Sequence, residues 1–120
     1  MARILLAEDE EGLRELVRRA LVQAGHQVRA AADGAEALAL LGKADASFDL
    51  LLADIKMPVM DGIALALAAA RDHPALRILL MTGYADQRER AQALVQRVIS
   101  KPFTVAEITA EVDAALAAKG

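Results

Sequence analysis

At 120 residues with a formal net charge of −3, the chain is the size of one domain and lacks the basic excess that a nucleic-acid-binding face requires. It has no cysteine, which removes a disulfide scaffold, a cysteine zinc site and a cysteine nucleophile together, and which fits a reducing cytoplasm. Apolar residues make up 56% of the sequence, enough for an ordinary core, but the longest apolar run, Ile63–Ala70, is far too short for a membrane span, and the amino terminus lacks the long apolar stretch of a signal peptide.

Short apolar runs alternate with helical patterns. Ile4–Ala7 predicts a buried strand that stops in acid. Gly12–Ala24 places Leu13, Leu16, Val17, Ala20, Leu21 and Ala24 on one helical face, and Gly25 closes the helix. Val28–Ala32 predicts a second strand, with Asp33-Gly34 as a turn that also caps the helix over Ala35–Ala46, where Gly42 interrupts the last turn. Phe48–Ala53 predicts the third strand, ending at Asp54; after a loop with Pro58 and Gly62, Ile63–Asp72 is helical until His73-Pro74 ends it. Arg77–Met81 is the fourth strand, ending at Thr82-Gly83, and Asp86–Val95 is a polar, weakly amphipathic helix. Arg97–Ser100 is a short fifth strand ending at Lys101-Pro102; Thr104 then caps a last helix to about Ala118, with Glu107 completing a capping box.

This is a (βα)5 pattern. Continuous apolar strands, each followed by a helix, imply an α/β fold with a parallel sheet covered on both faces and right-handed crossovers. Alanine occurs 28 times, which predicts closely packed helices, whereas Phe48, Tyr84 and Phe103 are too few rings for a base-stacking platform. With no linker or repeat, residues 1–120 read as a single domain with no effector domain, whose output is made by its own surface.

In an open parallel sheet, ligands bind beyond the carboxyl ends of the strands. The first strand ends on Glu8-Asp9, the third on Asp54, the fourth on Thr82 and the fifth on Lys101, so three carboxylates, a hydroxyl and an ammonium converge on one edge. Crowded carboxylates repel and have raised pKa values unless something positive sits among them; a hard divalent cation with oxygen ligands, Mg²⁺ above all, meets that need. Lys101 beside the metal can hold an incoming phosphoryl oxygen and Thr82 can donate to another. Asp54 is then free to act as a nucleophile and form an aspartyl phosphate.

Glu8-Asp9, Asp54 within the run Ala53 to Gly62, Thr82-Gly83 and Lys101-Pro102-Phe103 together resemble the receiver domain of two-component response regulators, the CheY-like superfamily. The resemblance covers the whole chain. It implies a doubly wound, flavodoxin-like sheet of strand order 2-1-3-4-5, with Asp54 as phosphoacceptor and Glu8 and Asp9 as the acid pair. It further implies Mg²⁺ on Asp9, Asp54 and the backbone carbonyl of Lys56, Lys101 on the phosphoryl group, Thr82 as switch hydroxyl, and a cis Lys101–Pro102 bond. The implied donor is a histidine kinase or histidine phosphotransfer protein, and the output is a changed surface around the fourth helix, fifth strand and fifth helix.

Several positions depart from the commonest pattern. The acid pair is Glu-Asp rather than Asp-Asp. Val98 stands where the switch aromatic is usual, which leaves Tyr84 as the nearby ring that could report the switch. The stretch from Thr82 to Lys101 is about three residues shorter than usual, which predicts a short or partly unwound fourth helix. Lys56 and Tyr84 are expected to slow self-dephosphorylation. General likeness is to stand-alone receivers of the alphaproteobacterial cell-cycle network, whose CpdR type serves as an adaptor for a ClpXP-type protease when unphosphorylated; the implied protein is a cytoplasmic monomer or weak dimer that binds neither nucleic acid nor membrane.

Other readings are weaker. Glu8 and Asp9 could cap the first helix, with Asp9 doing both jobs, and Lys56 could be a plain loop lysine. His26 and His73 read as surface residues, and Arg88-Glu89-Arg90 as a solvated helix face or part of a partner surface. A flavodoxin is disfavoured because Ala7–Glu11 would repel a flavin phosphate, and an aspartate phosphohydrolase because Lys56 stands where a second acid is usual. A phosphorylation-independent binding module on the same fold is the alternative, disfavoured by the complete set of site residues.

Overall fold

The computed structural model describes residues 2–43, 47–83, 85–95 and 97–117. Strands β1 (Arg3–Ala7), β2 (Gln27–Ala31), β3 (Leu50–Asp54), β4 (Arg77–Thr82) and β5 (Arg97–Ser100) alternate with helices α1 (Glu11–Gln23), α2 (Gly34–Leu41), α3 (Gly62–Asp72), α4 (Ala85–Leu94) and α5 (Val105–Ala117). The strands form one parallel sheet in the order β2-β1-β3-β4-β5, as the resemblance implies.

The two-residue period of a strand divides the core in two. Leu5 and Ala7 of β1, Leu51 and Ala53 of β3 and Leu80 of β4 face a cluster shared with Ala37 of α2, Ala66 and Ala69 of α3 and Ala91 of α4. Ile4, Leu6, Leu50, Leu52, Leu79 and Met81 face the other way, onto Val17 and Leu21 of α1 and Ile108 and Val112 of α5. Burial of each such leucine contributes about 2 kcal/mol of transfer free energy. Alanines from all three helices on this face, Ala37 of α2, Ala66 and Ala69 of α3 and Ala91 of α4, belong to the first cluster.

The helix starts follow their capping residues. Asp33 caps α2 through Glu36 N at 2.8 Å, and Asp61 caps α3 through Ala64 N at 2.8 Å. Thr104 and Glu107 form the reciprocal capping box of α5 at 2.9 and 3.0 Å. At α1 the sequence reading is corrected: Glu10, not Glu8 or Asp9, is the cap, its carboxylate accepting from Gly12 N at 3.1 Å and Leu13 N at 3.0 Å. Gly25 follows α1 at φ 97°, a conformation that favours glycine.

Three other elements differ from the sequence pattern. α2 ends at Leu41 with Gly42 as its C-cap, so the helical pattern through Ala46 overshoots; residues 44–46 lie outside the described residues. β3 begins at Leu50 because Phe48 and Asp49 serve the sheet end: the Phe48 ring lies 5.3 Å from the Arg3 guanidinium and the Asp49 carboxylate accepts from Arg3 N at 2.8 Å. α4 runs unbroken for 10 residues against 13 in α1 and α5, so it is shorter than those helices without being unwound. His26 is not a surface residue. Its side chain is 9% exposed, its Nδ1 accepts from Ala2 N at 3.2 Å, and its Nε2 lies 3.6 Å from the Asp113 carboxylate.

Candidate functional site

Asp54 and Thr82 close β3 and β4, and backbone bonds carry the ladder one residue past the ends of β1, β3 and β5. Glu8 N donates to Ala31 O at 3.1 Å, Ile55 N to Met81 O at 3.0 Å, and Lys101 N to Thr82 O at 2.7 Å. Because β1, β3, β4 and β5 are consecutive neighbours, these bonds line up Glu8, Asp54, Thr82 and Lys101 along one edge. The Lys101–Pro102 peptide is cis, as the resemblance implies.

The loop from Asp54 to α3 is shaped by its own sequence. Met57 is buried in the core, Met60 N donates to Pro58 O at 2.7 Å, and Val59 between them is exposed at φ 70°. A β-branched residue is strained in that left-handed region. Gly62 then opens α3 directly against the Asp54 carbonyl, with no room for a side chain.

Carboxylate oxygens of Glu8, Asp9 and Asp54 all lie within 4.8 Å of one another. Glu8 and Asp54 are buried and Asp9 is exposed. The Lys101 ammonium bridges the buried pair, donating to Asp54 Oδ2 at 2.8 Å and Glu8 Oε1 at 3.1 Å. Glu8 Oε2 accepts from Glu10 N at 3.0 Å, and Asp54 Oδ1 accepts a long bond from Lys56 N at 3.3 Å. Thr82 is buried, and its hydroxyl donates to Gln87 Oε1 at 3.4 Å. A cleft of about 650 Å³ opens above the three carboxylates and Lys101, with Lys56 and Gln87 also lining it and Leu13 and Phe103 forming an apolar flank. Tyr84 lies outside the described residues.

Burial pushes the Glu8 carboxyl up to about 7; the Asp54 charge adds to the rise, while the Glu10 N–H and Lys101 oppose it. Burial works against the Lys101 charge, but its bonds to Asp54 and then Glu8 outweigh this and hold its pKa above the usual lysine value. Three ionised carboxylates with one ammonium leave two negative charges in excess. An all-oxygen donor set with that excess fits a divalent cation such as Mg²⁺, which would favour the ionised form of Glu8 that burial disfavours.

This electrostatics has a measurable consequence. A carboxyl whose pKa rises on folding binds its proton more tightly in the native state, so stability falls as pH rises from the unfolded value toward 7 and is level above it. In EDTA the protein is expected to lose about 2 kcal/mol between pH 5.5 and 8 through Glu8, on top of the background from other groups. Urea unfolding at both pH values checks this against Glu8→Gln, which should lack that component; equal pH slopes in the two proteins would contradict it. Mg²⁺ should abolish the difference by stabilising ionised Glu8.

Two contributors were missed in the sequence. Arg14 donates to the backbone carbonyls of Glu8 at 2.9 Å and Asp9 at 3.5 Å, so a residue of the first turns of α1 holds the acidic loop. Its spacing from Glu8 was the available signal, but a basic residue on a helix is ordinarily solvated. Gln87 had no signal at all, since its role depends on how α4 docks.

Residues 4–113 match the family described as the response regulator receiver domain. The chain is 40% identical over 121 residues to the response regulator receiver protein CpdR of Brucella abortus, covering 98% of this chain and 99% of that protein. Among solved structures it is similar to the chemotaxis response regulator CheY4 of Vibrio cholerae, with a TM-score of 0.87, 29% identity, and coverage of 96% of this chain and 98% of that one. It is similar also to the response regulator TrrA of Thermotoga maritima, solved with Mg²⁺–BeF, with a TM-score of 0.84, 28% identity, and coverage of 96% and 99%.

Proposed function

The chain belongs to the response regulator receiver domain family, and from that premise we propose that it is a receiver in which Asp54 accepts a phosphoryl group from a phosphohistidine donor. The observation that carries this reading is the Lys101 bridge between Asp54 and Glu8, with Asp9 beside them. An Asp54 oxygen attacks phosphorus, the P–N bond breaks, and its electron pair leaves with the donor imidazole. Glu8, Asp9, Asp54 and the Lys56 carbonyl would hold Mg²⁺, which when bound would supply charge stabilisation for the transferring oxygens. Lys101 moves its ammonium from carboxylate to phosphoryl oxygen, and the Thr82 hydroxyl donates to another.

Hydrolysis returns Asp54 to a carboxylate and releases inorganic phosphate. Lys56 is exposed and lines the cleft, where its ammonium shields the phosphoryl group from an in-line water. Lys56→Asn is expected to shorten the lifetime of the acyl phosphate several-fold, because an amide can orient such a water. A time course of adduct decay checks this, and an unchanged or longer lifetime would contradict it.

The donor in this reading is a histidine kinase or histidine phosphotransfer protein, and a cytoplasmic location goes with it. Among the described residues no helix is long and apolar enough to cross a membrane. The output is protein binding at the α4, β5 and α5 surface by a monomer or weak dimer. Similarity to CpdR over nearly its full length favours a protease adaptor of the ClpXP type as that output. Pull-down of the protease with unphosphorylated but not phosphorylated protein would support the adaptor role, and capture by both forms alike, or by neither, would remove it.

Intact-protein mass after incubation with Mg²⁺ and acetyl phosphate tests the phosphoacceptor reading. A single phosphoryl adduct, absent in EDTA and in Asp54→Ala, is expected. Folded protein that takes no adduct would leave the phosphorylation-independent binding module in its place.

A further inference from the structure

We propose that Gln87, in the first turn of α4, relays the state of Asp54 to that helix; this rests on the reading of Asp54 as phosphoacceptor and concerns how its state reaches the surface. The Thr82 hydroxyl donates to Gln87 Oε1 at 3.4 Å. That is a long bond to a neutral acceptor, whereas a phosphoryl oxygen on Asp54 is a charged acceptor, for which hydroxyl bonds are shorter and stronger. When the phosphoryl group arrives, the Thr82 proton turns to it and Gln87 loses its donor.

Two features make α4 sensitive to that loss. Among the described side chains of α4, only Ala91 is buried, while Glu89, Arg90, Gln92 and Leu94 are exposed. The helix therefore has little apolar anchorage, and its polar ties to the sheet count for more: Gln87 to Thr82 of β4, and Arg88 to the Ser100 hydroxyl of β5. The second feature is Val98. Its short branched side chain packs against the core cluster that contains Ala91 and offers neither hydroxyl nor ring, so the aromatic position has nothing to swing. Thr82 can therefore speak to α4 through Gln87, which acts through the hydroxyl and touches no reacting atom. It is a positioning residue. Its release shifts α4 between two placements on the sheet and with it the exposed Glu89 and Arg90.

Amide hydrogen exchange over α4, read with and without Mg²⁺ and beryllofluoride as phosphoryl mimic, tests the relay; ¹⁹F NMR counts the mimic at the site. In the parent chain the mimic is expected to speed α4 exchange by roughly fivefold or more, the lower end of a coupling between sites. Gln87→Ala should show the fast exchange already without the mimic and no further change with it. Thr82→Ala should behave alike, and the double variant should match either single one. Gln87→Glu keeps an acceptor there and should keep the slow basal exchange. Mimic bound in the parent with α4 exchange unchanged, or a Gln87→Ala response equal to the parent's, overturns the relay alone. A parent chain that binds no mimic overturns the reading of Asp54 together with it.

Discussion

Lys101→Met is expected to slow phosphoryl uptake at Asp54 by about 100-fold or more, the usual effect of removing one preorganised electrostatic donor from a transferring group. In the resting protein the Lys101 ammonium is shared between Asp54 Oδ2 and Glu8 Oε1. Methionine fills similar space but leaves the two buried carboxylates facing each other, so the protein without metal also loses stability, on the order of 2 kcal/mol at pH 8. The same change removes a cation that competes with Mg²⁺ for those oxygens, so metal affinity should hold or rise while the rate falls. That opposition separates a role in transfer from general damage to the site. A mass-resolved time course with acetyl phosphate, beside Mg²⁺ titration, measures both. Uptake within a few-fold of the parent would contradict the role given to Lys101.

Gly62→Ala is expected to destabilise the protein by about 3 kcal/mol, the upper range for overpacking at a rigid site. A methyl group there would overlap the Asp54 carbonyl and come within 2.9 Å of the Ile55 Cα. Neither side can retreat easily. Gly62 N donates to Ile55 O at 2.8 Å, and Ile55 N is itself bound to Met81 O at 3.0 Å in the ladder. Relief therefore moves the end of β3, which carries the acceptor, and phosphoryl uptake should fall as stability does. Gly83→Ala is the control: a Cβ at Gly83 meets nothing within 4 Å, and its cost should stay within about 0.5 kcal/mol. Urea unfolding of both variants decides the matter; equal costs would show that the close approach at Gly62 does not constrain the fold.

The sheet and the site were legible in the sequence for the same reason. Ile4–Ala7 and Leu50–Ala53 are apolar without a break because both faces of β1 and β3 are covered, and a run that ends abruptly in acid marks the sheet edge where ligands bind. Once the strands are parallel, Glu8, Asp54, Thr82 and Lys101 must meet there whatever the helices do. What was missed depends on choices that local chemistry leaves degenerate. Four acids in a row, Glu8 to Glu11, give three equivalent candidates for the α1 cap, and only the packing of Glu8 under Lys101 leaves the task to Glu10. His26 sits in a polar stretch, yet the closure of α5 over the sheet end buries it against Ala2 and Asp113. Gln87 is one glutamine in a helix with almost no amphipathic pattern, so nothing in the sequence says which side faces Thr82.

The most direct measurement traps the acyl phosphate chemically and finds its position. Protein incubated with Mg²⁺ and acetyl phosphate is reduced with borohydride, which converts a phosphorylated aspartate to homoserine, and peptide mass mapping then locates the change. Homoserine at position 54, with Glu8 and Asp9 left unreduced, is the predicted result. Reduction at Glu8 or Asp9, or an unmodified Asp54 peptide in folded, metal-loaded protein, would contradict the account.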